Sequence, residues 1–152
     1  MALTPQTLEL LKADLIREEG HVLKVYPDHL GKLTVGIGHL IVKGDAEYGK
    51  PKDTPITEER CTELFLKDVK RTTDGLFAAL PWLNDHPQDV QRALVNMAFQ
   101  LGVQGVVGFR NTLMYIRRRE YDVARSNALQ SLWARQTPAR ANRVLTLLAN
   151  AR

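Results

Sequence analysis

The stretch Glu19-Gly20-His21-Val22-Leu23-Lys24-Val25-Tyr26-Pro27-Asp28-His29-Leu30-Gly31-Lys32-Leu33-Thr34-Val35-Gly36-Ile37-Gly38-His39 decides the fold. It opens where an apolar-faced helix stops and continues as β-formers punctuated by turn residues. Upstream, Thr4-Pro5 reads as an N-cap and first helical residue, and Leu8, Leu11, Leu15 and Ile16 recur at near-helical spacing as far as Gly20, a natural terminator. On a wheel of about 100° per residue, Glu19 lies roughly 25° from the centre of that apolar face and Glu18 roughly 75° away, while Arg17 points outward. The inward carboxylate is therefore Glu19. Beyond Gly20, the order Val22, Leu23, Val25, Tyr26, Pro27-Asp28, Gly31, Leu33-Thr34-Val35 predicts a small antiparallel hairpin or three-stranded sheet.

Working outward, residues 43–57 hold Gly44, Gly49, Pro51 and Pro55 among charges, which predicts an exposed loop ending at a second cap, Thr57. The spacing of Cys61, Leu64, Phe65, Val69, Leu76, Phe77 and Leu80 then predicts one long amphipathic helix stopped by Pro81. Pro87 opens a helix that is apolar on more than one side through Val90, Leu94, Val95, Met97, Ala98 and Phe99, as a central buried helix would be, with Gly102 ending it. Shorter helices are expected over 102–108, 111–119 and 121–132, and Thr137-Pro138 caps a last one toward Ala149. The pattern predicts an α+β, predominantly α fold: a single domain over residues 1–152. A sheet lobe spans about 20–57 and a linking helix about 58–80; a helical lobe of about 81–152 also takes helix 4–19, and a cleft lies between the lobes.

With 152 residues, 44% of them hydrophobic and 25% charged, the chain is large enough for a core of its own and is neither disordered nor membrane-embedded by composition. No run of about 18 apolar residues exists, and Met1-Ala2-Leu3-Thr4-Pro5 lacks the start of a signal peptide. Cys61 is the only cysteine, so no internal disulfide can form and a reducing cytosol suits the chain; its thiol is expected to pack rather than react. The net charge of +4 is uneven. Residues 1–60 carry 8 Lys+Arg against 10 Asp+Glu, leaving 13 against 7 for the remainder, with Arg117-Arg118-Arg119 at its centre. Such a basic half suits an anionic polymer, either nucleic acid or bacterial cell wall, and does not choose between them.

Two carboxyls, Glu19 and Asp28, with the Thr34 hydroxyl are what a glycosidase needs. Carboxylates at a helix C-terminus are repelled by the macrodipole by roughly 0.3–1 kcal/mol, which together with burial favours the proton-carrying state of a general acid. Singly, each residue has a plainer reading: Glu19 as a surface group, Asp28 as a turn former, Thr34 as a strand residue. Asp68 shares the apolar side of the long helix with Leu64, Phe65 and Val69, so a His39–Asp68 pair is expected to join sheet to helix. No His or Cys cluster has ligand spacing, and neither a phosphate loop nor a Ser nucleophile elbow occurs, so no metal and no cofactor are expected.

The ordered set Glu19-Gly20, Tyr26, Asp28, Gly31, Thr34-Val35-Gly36-Ile37-Gly38-His39-Leu40 resembles the catalytic segment of the phage-type lysozymes, the T-even phage endolysin family or glycoside hydrolase family 24. The likeness continues through Asn96 to Gln100, Gly105 to Phe109, Asn127, Trp133 and Gln136 to Arg140. It implies a lysozyme-like fold and a muramidase cutting the β-1,4 bond between N-acetylmuramic acid and N-acetylglucosamine. Glu19 would be the acid, with Asp28 and Thr34 placing water for inversion and the two carboxyls about 6.5–9.5 Å apart. Leu40, Phe99, Thr112 and Asn127 would line the saccharide site, Arg140 would lie near Glu19, and Thr112 stands where the best-known member has Ser. The implied partner is peptidoglycan rather than nucleic acid, bound by a monomer with weak contact to anionic membranes. Made in the host cytoplasm, it would need a holin to reach the wall. Two alternatives stay open: a non-catalytic cationic binder of wall or membrane, and a lytic transglycosylase, which needs an acid but no water-placing Asp.

Overall fold

Thr4 does what its place before Pro5 predicts. Its Oγ1 accepts the Thr7 N–H at 3.1 Å, and helix α1 follows over Pro5–Glu19. The computed structural model describes residues 3–151 and orders the rest as β1 (Val22–Pro27), β2 (Leu33–Gly36), β3 (His39–Leu40), α2 (Glu58–Ala79), a 3-10 turn (Pro81–Asp85), α3 (Gln88–Val107), α4 (Arg110–Arg117), α5 (Tyr121–Leu129), α6 (Leu132–Gln136) and α7 (Pro138–Ala149). The fold is α+β and mostly helical. Contacts group it into two units, Ala13–Arg71 and the remainder, so α1 and α2 each contribute to both. Among the described residues, no helix is long and apolar enough to cross a membrane.

In the Ala13–Arg71 unit, Gly20 takes φ +87° and ends α1 by donating to the Ile16 carbonyl at 2.9 Å. The strands then form an antiparallel sheet in the order β1-β2-β3, with Tyr26 opposite Thr34, Thr34 opposite Leu40 and Val35 opposite His39. Val25 and Val35 pack with Leu64 of α2 into a core capped by Ile41 and Ile56. In the other unit α3 packs on α7, α7 on α5 and α6, and α4 on α5. Its centre is Val90, Leu94, Val95 and Met97 of α3 with Ala141, Val144, Leu145 and Leu148 of α7, none more than 1% exposed.

Gly102 breaks the helical geometry, at φ 75° and ψ 163°, where the first stretch is expected to end, and the helical stretch expected over 102–108 follows to Val107. Three other expectations are refined. The stretch 121–132 is two helices, because Ser131 accepts the Ala134 N–H at 3.2 Å and starts α6 afresh. Thr137 precedes Pro138 as expected, yet its hydroxyl donates back to the Trp133 carbonyl at 3.0 Å rather than capping α7. The loop 43–57 is not simply exposed: Asp45 and Glu47 are buried, and Val25, Asp53 and Thr54 exchange backbone hydrogen bonds that cover the outer edge of β1.

What holds that loop is a buried ionic lock. His39 Nδ1 lies 2.7 Å from Asp68 Oδ2 on α2, and its Nε2 lies 2.7 Å from Asp45 Oδ2 in the loop. The pair with Asp68 is the one the sequence predicts; Asp45 is an addition. To donate to both carboxylates the ring must carry two protons, and these two contacts favour that charged form of His39. Arg71 stands 3.3 Å from Asp68 and Lys67 3.9 Å from Asp45, on the exposed side. Nearby, the Arg60 guanidinium of α2 donates to both Glu47 oxygens at 2.8 and 3.0 Å, a second clamp on the same loop.

Burial by itself lowers the His39 pKa, but the bonds to Asp68 and Asp45 outweigh it and the net direction is up. Burial raises Asp45, while the Val42 N–H, His39 and Lys67 bring it below the ordinary carboxylate range. The His39 contribution to stability is therefore complete below about pH 6.5 and lost as pH rises through its elevated folded value; that of Asp45 is present above about pH 3.9 and lost as pH falls through its depressed one. The lock is fully effective between these limits. His39→Asn, which strands two buried carboxylates, is expected to lower unfolding free energy by about 3–5 kcal/mol near pH 5.5. It should also flatten the alkaline decline of stability, which urea titrations across pH would measure.

Candidate active site

Asp28 occupies the tip between β1 and β2. Its N–H donates to the Lys32 carbonyl at 2.8 Å, while Oδ1 accepts the N–H groups of Leu30 at 2.8 Å and Lys32 at 2.9 Å. This is how an Asp after Pro closes a turn, and Gly31, at φ +80°, completes it. The same bonds tune the carboxyl: the Lys32 N–H above all, with the Leu30 N–H and the charges of His29 and Lys32, holds it below the usual carboxylate range despite some desolvation. Asp28 is thus an ionised group at an exposed tip.

Thr34 is buried on β2, with its hydroxyl donating to the Lys32 carbonyl at 3.0 Å. Because Tyr26, Thr34 and Leu40 are direct cross-strand partners, their side chains share one face of the sheet, whereas Val35 and His39 point to the other. Leu40 is 44% exposed on that first face.

Glu19 is half-buried, as is Glu18, so burial alone does not separate them. Contact does. A Cβ on Gly38 would fall 2.7 Å from Glu19 Cβ and 2.9 Å from its Oε1, so the β2–β3 turn packs directly on the Glu19 side chain. Gly38 also has φ +63°, which costs a residue with a Cβ about 1–2 kcal/mol. The glycine is required twice over, by conformation and by space.

Tyr26 lies opposite Thr34 on the sheet and two residues before Asp28. Its phenol pKa is raised, first by burial and then by the negative charges of Glu19 and of Asp28. Glu19, Tyr26, Asp28 and Thr34 all belong to the Ala13–Arg71 unit, with Tyr26 and Thr34 side by side on one sheet face.

The remaining residues of interest belong to the helical unit, Leu40 apart. The Thr112 hydroxyl donates to Asn127 Oδ1 at 2.6 Å, joining α4 to α5. The two line an open cavity of about 300 Å³ with Asn111, Gln130 and the Gly108–Phe109 turn. Phe99 is half-buried on α3 and does not line that cavity. Arg140 is buried on α7, where Nε and Nη2 bond Asn96 Oδ1 at 3.1 and 3.0 Å. Trp133 donates to Gln100 at 2.8 Å and meets Phe109 edge to face, fixing the α3 end beside the cavity.

Sequence reasoning did not single out Gly38, Tyr26 or Asp45 for these parts. Gly36-Ile37-Gly38 carries a signal for the first, two glycines around one residue in a strand turn. Nothing local marks Asp45 among the charges of its loop. Ligand spacing along the chain also gave no metal cluster, yet folding brings His21, Glu58 and Cys61 together from separate segments.

A family model described as phage lysozyme matches residues 16–152. The chain is 30% identical over 157 residues to "Probable T4-type lysozyme 1" of Dictyostelium discoideum, covering 91% of this chain and 92% of that one. It is 36% identical to "Pre-baseplate central spike protein Gp5" of Enterobacteria phage T4, covering 88% of this chain but only 26% of the spike protein. "Peptidoglycan hydrolase gp36" of Pseudomonas phage phiKMV is 29% identical, with 91% of this chain and 15% of the hydrolase aligned.

The grouping around Tyr26 has a direct check. Glu19→Gln and Asp28→Asn should each bring the Tyr26 phenol down toward about 10, its ordinary value, in an NMR pH titration of ring-labelled protein. A Tyr26 titration indifferent to both substitutions would contradict the grouping.

Proposed function

The chain belongs to the phage lysozyme family, and we propose that it is a muramidase that hydrolyses the β-1,4 bond between N-acetylmuramic acid and N-acetylglucosamine in bacterial peptidoglycan. Glu19 gives its proton to the glycosidic oxygen as the C1–O bond breaks. Asp28, kept ionised by two backbone N–H groups, takes a proton from water as the water oxygen bonds to C1 from the opposite face. The Thr34 proton is committed to the Lys32 carbonyl, so its oxygen accepts from that water and aims it. Passage of one proton from Asp28 back to Glu19 through solvent resets the pair. Two carboxyls with opposite duties need different surroundings, and these have them.

The observation that carries the reading is geometric: the Asp28 carboxylate is held by two backbone N–H groups at the β1–β2 turn, the Glu19 side chain lies against Gly38 of the β2–β3 turn, and the Thr34 hydroxyl is buried on β2. Within the proposal, Leu40, Phe99, Thr112 and Asn127 hold the glycan: Phe99 offers a ring face, and the Asn127 amide offers both donor and acceptor atoms. The basic helical half, with Arg117 and Arg118 exposed, holds the anionic wall. The enzyme works as a monomer, needs no cofactor, and reaches the wall from the host cytoplasm.

The test is the release of reducing ends from purified peptidoglycan, which a membrane-disturbing binder would not produce. Glu19→Gln and Asp28→Asn are each expected to lower that rate by about 10²–10⁴-fold while leaving the thermal midpoint within a few degrees. Wild-type rates from Glu19→Gln would overturn the assignment. Because Asp28 is held below the usual carboxylate range, the acid limb of kcat/KM is expected below about pH 4 and should vanish in Asp28→Asn.

A further inference from the structure

The first residue pair of the sheet unit that the hydrolytic reading does not use lies behind Gly20. The turn after α1 delivers His21 to the start of α2, where its Nε2 stands 2.9–3.0 Å from the Glu58 oxygens. Cys61 is one helical turn further along the same face of α2, and the His21 nitrogen, a Glu58 oxygen and the Cys61 sulfur all lie within 4.8 Å of one another. We propose that His21, Glu58 and Cys61 form a binding site for a borderline-soft divalent cation, of which zinc is the fitting member.

The donor set argues for zinc over a hard cation. Imidazole, thiolate and carboxylate are its ordinary protein ligands, whereas magnesium and calcium take oxygen donors. Size agrees as well. Zinc–ligand bonds of about 2.0–2.3 Å in a tetrahedron set neighbouring donors roughly 3.3–3.8 Å apart, so closing this triangle needs a movement of about 1 Å.

The two donors that would have to move are the solvent-reaching ones. The Glu58 side chain is 61% exposed and that of His21 29% exposed, so both reach solvent and leave an entry path, while Cys61, 1% exposed, forms a fixed floor. Gly36, at φ +67°, stands close to the sulfur: a Cβ there would lie 3.2 Å from Sγ, so a side chain at this position would crowd Cys61. Three protein ligands leave a fourth, water-filled position.

Binding releases the Cys61 proton to the buffer as the sulfur–zinc bond forms. It replaces the His21–Glu58 hydrogen bond with two metal bonds, and thereby ties the end of α1 to the first turns of α2. No redox step is involved.

The test is zinc alone, added to the chelator-stripped full chain. Native mass spectrometry should show one zinc per chain, the thermal midpoint should rise with zinc, and cobalt in its place should give a thiolate-to-cobalt absorption band. His21→Ala and Glu58→Gln, both at solvent-reaching positions, are expected to weaken zinc binding by about tenfold or more and to remove the thermal shift. Cys61→Ser should abolish the cobalt band; if it unfolds the chain, the other two variants decide. No bound zinc in the parent, or equal binding by His21→Ala and Glu58→Gln, overturns the proposal.

Discussion

A charged imidazole held between two buried carboxylates is the constraint on which the sheet unit depends. His39 is a residue of the shortest strand, with only two residues to pair, and such a strand has little hold of its own. The ring supplies it: one nitrogen reaches α2 through Asp68, the other pins the loop through Asp45, and the backbone pairs with Val35 on β2. One residue earlier, Gly38 lies against Glu19. Whatever fixes His39 therefore fixes the wall against which the Glu19 side chain rests.

From there the site follows by local rules. Gly20 stops α1 with Glu19 as its last helical residue, and the bulged pairing of β1 with β2 brings Tyr26 opposite Thr34. The Asp28 turn then orders its own carboxylate with its own backbone. One carboxyl sits on a helix end in partial burial. The other sits on an exposed tip in a ring of N–H donors, and contrasts of this kind let a pair of like groups divide acid and base duties.

Much of this was legible in the sequence because it was written in short-range patterns. The caps at Thr4 and Thr57, the stop at Gly20 and the turn at Asp28 depend on neighbours within about one helical turn. The His39–Asp68 pair was legible too, since Asp68 shares a helix face with Leu64 and Phe65, whose burial aims it inward. Asp45 was not, because its burial is decided by a loop folding back, and loop composition reads as exposure whatever its charges meet. The break at Ser131 was lost inside an unbroken helical pattern, and His21, Glu58 and Cys61 meet only through the tertiary fold.

The central claim is that Asp28 and Thr34 deliver water to the sugar face opposite the acid. The most direct measurement is proton NMR of the anomeric signals released from purified peptidoglycan glycan in the first minutes of reaction, before mutarotation mixes them. Inversion of a β-linkage gives the α-anomer first, and that is the result the proposed mechanism predicts. Initial formation of the β-anomer, or of anhydro-muramic ends with no reducing sugar, would contradict it.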